Sequence, residues 1–227
     1  MVVRIAGLGY QRGFGGHFHN DNSMTALRDI PGLVVGCASR GDDAAMMLRT
    51  LTALAKVDGR VSVFLEPIAL YMTKDLHEPG DGLWLTEYPA PDRALVLGEE
   101  RVYNAEATDC VIFSYGNGMP MSLRAARAIE AKHGWKVRVV DLRWLVPLNE
   151  AAIARHAREC ARILVVDEGR HSAGVGEGVI TAITEAGFGG KPGRRVCGAD
   201  TYTPLAGAAF LVIPKDDDIV AAADTLL

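Results

Sequence analysis

Short runs of aliphatic and β-branched residues alternate along this chain with longer amphipathic stretches. Val2–Ala6, Leu33–Cys37 and Val61–Leu65 read as strands in the first third. Cys110–Tyr115, Val137–Leu142, Ile163–Val166 and the short Arg195–Cys197 read as strands in the remainder. Helical spacing of apolar positions predicts helices over Asp21–Asp29, Gly41–Lys56, Met119–His133 and Asn149–Cys160, with another in Gly174–Gly187. A last helix is expected to start near Pro214-Lys215-Asp216-Asp217-Asp218. The strands are near-continuous in Val, Ile and Leu, so both faces should be covered. That predicts an α/β fold with a mainly parallel sheet between helices.

The pattern breaks over residues 72–104. Pro79-Gly80-Asp81-Gly82 and Pro89-Ala90-Pro91-Asp92 are turn-forming, and no helical period is sustained there. The expected division is therefore 1–71, a linker at 72–104, and 105–227. With 227 residues and 49% hydrophobic positions, the chain suffices for one large or two modest cores. A net charge of −4 and the lack of any long basic run give no reason to expect nucleic acid as a partner. No apolar run approaches the roughly 18 residues of a membrane span, and no secretion pattern opens the chain. A cytoplasmic location is expected, with Cys37, Cys110, Cys160 and Cys197 as widely spaced, reduced and mostly buried thiols.

Two polar clusters stand out as candidate chemistry. The first is Gly16-His17-Phe18-His19-Asn20-Asp21-Asn22-Ser23, which follows the opening strand. Histidine is a residue type suited to donating or exchanging a proton, and Asn20, Asp21 or Asn22 could cap the next helix. A metal site from His17, His19 and Asp21 is not expected, since no further ligand group lies nearby in sequence. Arg4 reads as an ion-pairing residue at the end of the first strand. The second cluster, Asp167 to Gly178, sits at a strand's C-terminal end before a helix, the usual place for a ligand in an open α/β sheet. Its Gly174-Val175-Gly176-Glu177-Gly178 lacks dinucleotide-site spacing.

In order and spacing these segments resemble the β-type half of the thiamine-diphosphate-dependent 2-oxo acid dehydrogenases, relatives of transketolase. In the first half the resemblance rests on Arg4, His19-Asn20-Asp21-Asn22, Pro31-Gly32-Leu33-Val34-Val35, and Phe64-Leu65-Glu66-Pro67 with Leu70-Tyr71. In the second it rests on Val139–Leu148, Asp167-Glu168 with Gly174-Val175-Gly176-Glu177, and Gly198-Ala199-Asp200-Thr201 with Pro204. Each motif is weak alone, but the ordered set covers nearly the whole chain. Asn20-Asp21-Asn22 departs from the family's Ser-Gln-Ser or Ser-Asp-Ser.

The resemblance implies the C-terminal part of a pyrimidine-binding-type α/β domain, followed by a transketolase C-terminal-type α/β domain. It implies oxidative decarboxylation of a 2-oxo acid with acyl transfer to a lipoyl group. His19 is then the catalytic candidate, donating to the substrate carboxylate or the intermediate. His17, Asn20 and Asp21 fall in the vicinity of substrate and cofactor. Asp141, Arg143 and Glu168 are expected at a subunit interface. The expected partners are a second copy or the remainder of the enzyme, and a lipoyl-bearing acyltransferase core. Asp58 falls where relatives hold an Asp near a structural potassium ion, but Arg60 replaces their Asn, so a turn is expected. The family's activating glutamate lies upstream of the opening strand, and Gly80-Asp81-Gly82 reads as a turn rather than a magnesium–diphosphate motif. Thiamine diphosphate and magnesium are therefore not expected to be held by this chain alone, which reads as the C-terminal part of a larger enzyme. Two other readings stand beside this one: a non-catalytic subunit-interaction module, and a portion of a transketolase or deoxyxylulose-phosphate synthase.

Overall fold

The computed structural model describes residues 1–10, 17 and 20–227. Among these the strands are β1 Val2–Gly7, β2 Val34–Cys37, β3 Ser62–Pro67, β4 Arg101–Tyr103, β5 Cys110–Ser114, β6 Val137–Asp141, β7 Trp144–Val146, β8 Arg162–Arg170 and β9 Gly193–Gly198. The helices are α1 Thr25–Arg28, α2 Gly41–Val57, α3 Gly118–His133, α4 Glu150–Glu159, α5 Val175–Glu185 and α6 Asp216–Asp224. One sheet has the order β1-β3-β2-β7 and the other β4-β6-β5-β8-β9. Only β2–β7 and β4–β6 pair antiparallel; the other five pairings are parallel. The mainly parallel α/β fold that the pattern predicted is therefore present.

The local reasons are legible. Asn149 caps α4, its side chain accepting from Ala152 N at 3.0 Å. Gly134, at φ 71°, ends α3 in the left-handed conformation that favours glycine. Asp218 in the first turn of α6 accepts from Lys215 N at 2.9 Å. Two strands escaped the pattern, β4 and β7. Each has three residues, too few to show a period, and each is an antiparallel strand at a sheet edge. They also cross the chain's midpoint: β7 joins the first sheet, and β4, from the stretch expected to be linker, joins the second.

Apolar packing ties the sheets together. Val35, Cys37, Val63 and Leu65 of the first share a core with Val111, Phe113, Val140 and Val165 of the second and with Ile153 and Val179 of α4 and α5. The opposite face of the second sheet packs on α3 and α6 through Ile112, Leu164, Met119, Ile129, Ile219 and Ala223. Met47 and Leu51 of α2 pack on Val34, Phe64 and Trp144.

A buried ion network crosses the same junction. Arg143, at φ 56° between β6 and β7, donates to Asp43 of α2 at 2.7 and 3.1 Å. Arg101 of β4 donates to Asp43 at 2.8 Å and Asp42 at 2.7 Å. Asp141 accepts from Ser39 Oγ and from Arg143 N. Burial pushes the Asp141 carboxyl up to about 7. Asp141, Arg143 and Glu168, expected at a subunit interface, are instead 0%, 4% and 1% exposed within this chain. The physical reason is local pairing: two arginines and three acids satisfy one another where the sheets meet, burying Asp141 and Arg143, while the Glu168 carboxylate is held by Asn117.

Candidate functional site

In the second sheet β5 lies at the centre, with β6 on one side and β8 on the other. The chain winds outward from β5 in both directions, which makes the C-terminal ends of β5 and β8 the topological switch point. Tyr115, Gly116 and Asn117 leave β5 there, and Asp167 and Glu168 lie in the last part of β8. The Asp167 carboxylate is fully engaged. It accepts from Tyr115 Oη at 2.6 Å, Gly169 N at 2.8 Å and Gly176 N at 2.6 Å. The N-terminus of α5 is thus filled by the chain's own carboxylate. A Cβ on Gly174 would lie 2.4 Å from Asp167 Oδ2, so that position requires glycine.

Glu168 occupies the centre of the switch point. Its Oε1 accepts from Asn117 N at 3.0 Å and its Oε2 from Asn117 Nδ2 at 2.8 Å. Burial raises its carboxyl to about 8, against those two hydrogen bonds and with the help of nearby Asp167. Cys37 of β2 lies close by, and burial with Glu168 and Asp141 nearby pushes its thiol up.

The polar loop after β1 arrives at this place. Leu8 and Tyr10 are both left-handed, at φ 67° and 72°, an uncommon conformation for such side chains. Gly9 N donates to Asn22 Oδ1 at 3.1 Å, and Asn22 Nδ2 donates to the Glu168 carbonyl at 2.5 Å. Further out, Asp21 accepts from Arg170 at 2.6 Å and from Ser23 Oγ at 2.6 Å. Arg170 also reaches Ser23 Oγ at 2.9 Å and stacks over Tyr202 at 5.2 Å. His17 is exposed, its ring 5.2 Å from the Tyr202 ring. Asn20 is buried, and its carbonyl accepts from Thr203 Oγ1 at 3.4 Å. His19, the catalytic candidate, lies outside the described residues, as do Gln11–Gly16 and Phe18.

The structure thus brings His17, Asp21 and Glu168 to neighbouring strand ends while placing Asp141 and Arg143 at the sheet junction. None of Asn20, Asp21 and Asn22 caps the following helix: α1 begins after Met24 without a side-chain cap. Sequence reasoning missed Asn117 and Tyr202, and held Arg170 only as a member of the Asp167–Gly178 cluster. The available signal for the first was a Tyr-Gly-Asn-Gly turn directly after a mostly apolar strand.

Arg4 does form an ion pair, with both oxygens of Glu66, which also accepts from Tyr71 Oη at 2.5 Å. The Arg4 hydrogen bonds lower the Glu66 carboxyl, and burial with that same carboxylate lifts Tyr71 to about 12. These three groups line a cavity of about 380 Å³ with Phe64, Leu48 and Trp84.

Asp81 of Gly80-Asp81-Gly82 accepts from the N–H groups of Leu76, His77, Glu78 and Leu83 at 2.7–3.0 Å. Those bonds hold its carboxyl far below the usual range and leave it committed to its own turn. Among the described residues no group of three His, Cys, Asp or Glu is placed to hold a metal ion. Asp58 sits at the C-terminal end of α2 before Gly59 at φ 68°, in a turn.

A mainly parallel, open α/β sheet with polar groups gathered at its switch point defines the class of this protein. The chain belongs to the family of the transketolase C-terminal domain, whose model matches residues 100–216. It is 31% identical to the 3-methyl-2-oxobutanoate dehydrogenase subunit beta of Mycobacterium tuberculosis, over 100% of this chain and 61% of that protein. It is 30% identical to the pyruvate dehydrogenase E1 component subunit beta of Staphylococcus aureus, over 92% of this chain and 60% of that one. The chain therefore spans about six tenths of the length of these relatives. A solved split-gene transketolase, described as an inactive β4 tetramer, shares the fold with a TM-score of 0.70 and 23% identity, covering 100% of this chain and 65% of that one.

Proposed function

We propose that this chain is the C-terminal part of the β-type component of a thiamine-diphosphate-dependent 2-oxo acid dehydrogenase, in the cytoplasm. In this reading residues 1–71 are the end of a pyrimidine-binding domain, 72–104 connect, and 105–227 are the transketolase C-terminal-type domain. The observation that carries it is the meeting of the two halves. The polar loop of the first half hydrogen-bonds, through Gly9 and Asn22, to Asn117 and Glu168 at the switch point of the second. A loop bearing His17 and His19 is thereby attached where open α/β sheets bind ligands.

The cofactor supplies the carbanion chemistry in such enzymes, and the protein orients it. This chain's part is to present the loop. His19 is assigned to donate a hydrogen bond to the substrate carboxylate or to the intermediate, holding it in place for the loss of carbon dioxide. His17 and Asp21 flank it, Asp21 steadied by Arg170. The cofactor with its magnesium is held by the assembled enzyme, with groups from outside this chain, and the acyl group passes to a lipoyl-bearing acyltransferase core.

Reconstitution tests the reading. The chain is produced together with the remainder of the enzyme, and oxidation of pyruvate and of branched 2-oxo acids is followed with an artificial electron acceptor. Turnover of one of these acids that depends on both this chain and thiamine diphosphate is expected. An assembly that forms but oxidises none would leave the chain a non-catalytic interaction module.

A further inference from the structure

Four residues form a closed ring of hydrogen bonds at the base of the polar loop. Gly9 N donates to Asn22 Oδ1 at 3.1 Å, joining two residues thirteen positions apart. Asn22 Nδ2 donates to the Glu168 carbonyl at 2.5 Å. The Glu168 carboxyl accepts from Asn117 N and Nδ2. Asn117 Nδ2 also lies 3.4 Å from the Gly9 carbonyl, which closes the ring. The three side chains come from the loop after β1, the turn after β5 and the last part of β8, and Asn22, Asn117 and Glu168 are 7%, 3% and 1% exposed.

We propose that Asn22, Asn117 and Glu168 are positioning residues, a clamp that fixes the neck of the loop carrying His17 and His19 against the second sheet's switch point. The proposal rests on the functional reading above, since it gives that loop a substrate to act on.

Three observations point the same way. Leu8 and Tyr10 are left-handed on either side of Gly9. Non-glycine residues in that region are strained and persist only where the surroundings over-determine them. The ring is the local structure that does so. Next, Gly116 makes room for the clamp: a Cβ there would stand 2.5 Å from Glu168 Oε1 and 3.1 Å from Cys37 Sγ. Finally, the ring lies beneath a second set of contacts, Asp21 to Arg170 and His17 to Tyr202, which draw the loop to the same sheet. A buried polar ring whose members satisfy one another rigidifies what it holds. A reacting group displaced by about 1 Å can cost on the order of 10²-fold in rate.

The test uses Asn22→Ala, Glu168→Ala and Glu168→Gln in the full chain, read in two ways. The first is limited trypsin cleavage after Arg28 under native conditions, which reports local opening of the segment that Asn22 anchors. The second is kcat and KM of the assembled enzyme. Asn22→Ala and Glu168→Ala should each speed cleavage by about tenfold or more. They should lower kcat by about 10- to 100-fold while KM moves less than about threefold. Glu168→Gln, which keeps the shape and a carbonyl acceptor, should recover most of both. Should Glu168→Ala fail to fold, Asn22→Ala carries the test alone. Wild-type cleavage in Asn22→Ala would overturn the clamp. Faster cleavage with unchanged kcat would overturn its positioning role. If the wild-type assembly oxidises no 2-oxo acid, the functional reading fails, while the cleavage rates still judge the clamp.

Discussion

Replacing Glu168 with glutamine should change how stability depends on pH. The wild-type carboxyl is raised from 4.5 to about 8, mainly by burial. A carboxyl raised on folding contributes stability that is complete below its unfolded value and is lost as pH rises through its folded value. At 1.36 kcal/mol per unit, wild-type stability should therefore fall by on the order of 3–4 kcal/mol between pH 5 and pH 8 through this group alone. Asp141, raised to about 7, adds a loss of the same sign in both proteins, so the difference between them isolates Glu168. An amide in place of the carboxyl can be accommodated, because Asn117 Oδ1 has no hydrogen-bond partner among the described residues and can turn toward the new N–H. The assay is urea unfolding at half-unit steps from pH 5 to pH 9. The variant's stability should decline less steeply with pH, by about the amount above. Parallel curves for the two proteins would mean that Glu168 is ionised in the folded chain at neutral pH, and the burial argument would be wrong.

Three further outcomes follow from the same structure. The isolated chain should not bind thiamine diphosphate with magnesium in calorimetry, because Asp81 is committed to its turn; micromolar binding would contradict this. Arg143→Glu should destabilise the fold by about 3–5 kcal/mol, as removal of one partner of a buried pair does; chemical denaturation measures it, and a folded variant of unchanged stability would refute the buried network. The purified chain should self-associate in light scattering. Met1 O accepts from Ser62 N, so by alternation Val2, Arg4 and Ala6 turn their backbone groups toward the open side of β1, an unpaired edge that invites pairing; a monodisperse monomer across a tenfold concentration range would count against it.

The parallel strands and long helices were legible because buried strands leave continuous apolar runs and amphipathic helices leave a 3.6-residue period. β4 and β7 left neither. The Asp21–Asp29 stretch looked like a longer helix than Thr25–Arg28 because Asn22 and Asp21 have cap-forming side chains. In the structure those side chains bond to Gly9, Glu168 and Arg170, partners far away in sequence that no local pattern encodes. The same limit explains Asp141, Arg143 and Glu168. The resemblance placed them at a subunit interface, whereas side-chain contacts with Ser39, Asp43 and Asn117, 102, 100 and 51 positions away, hold them inside this chain. The ordered motifs identified the family, and the Arg4–Glu66 pair was half-visible, since only Arg4 was assigned a charge partner.

The central claim is that the loop after β1 acts on a 2-oxo acid. The most direct measurement is release of labelled carbon dioxide from a 1-labelled 2-oxo acid by the assembled enzyme carrying His19→Ala, beside wild type, with folding checked by thermal unfolding. The account predicts a fall in kcat of about 10² or more with the unfolding temperature unchanged. A folded variant that releases carbon dioxide at the wild-type rate would contradict it.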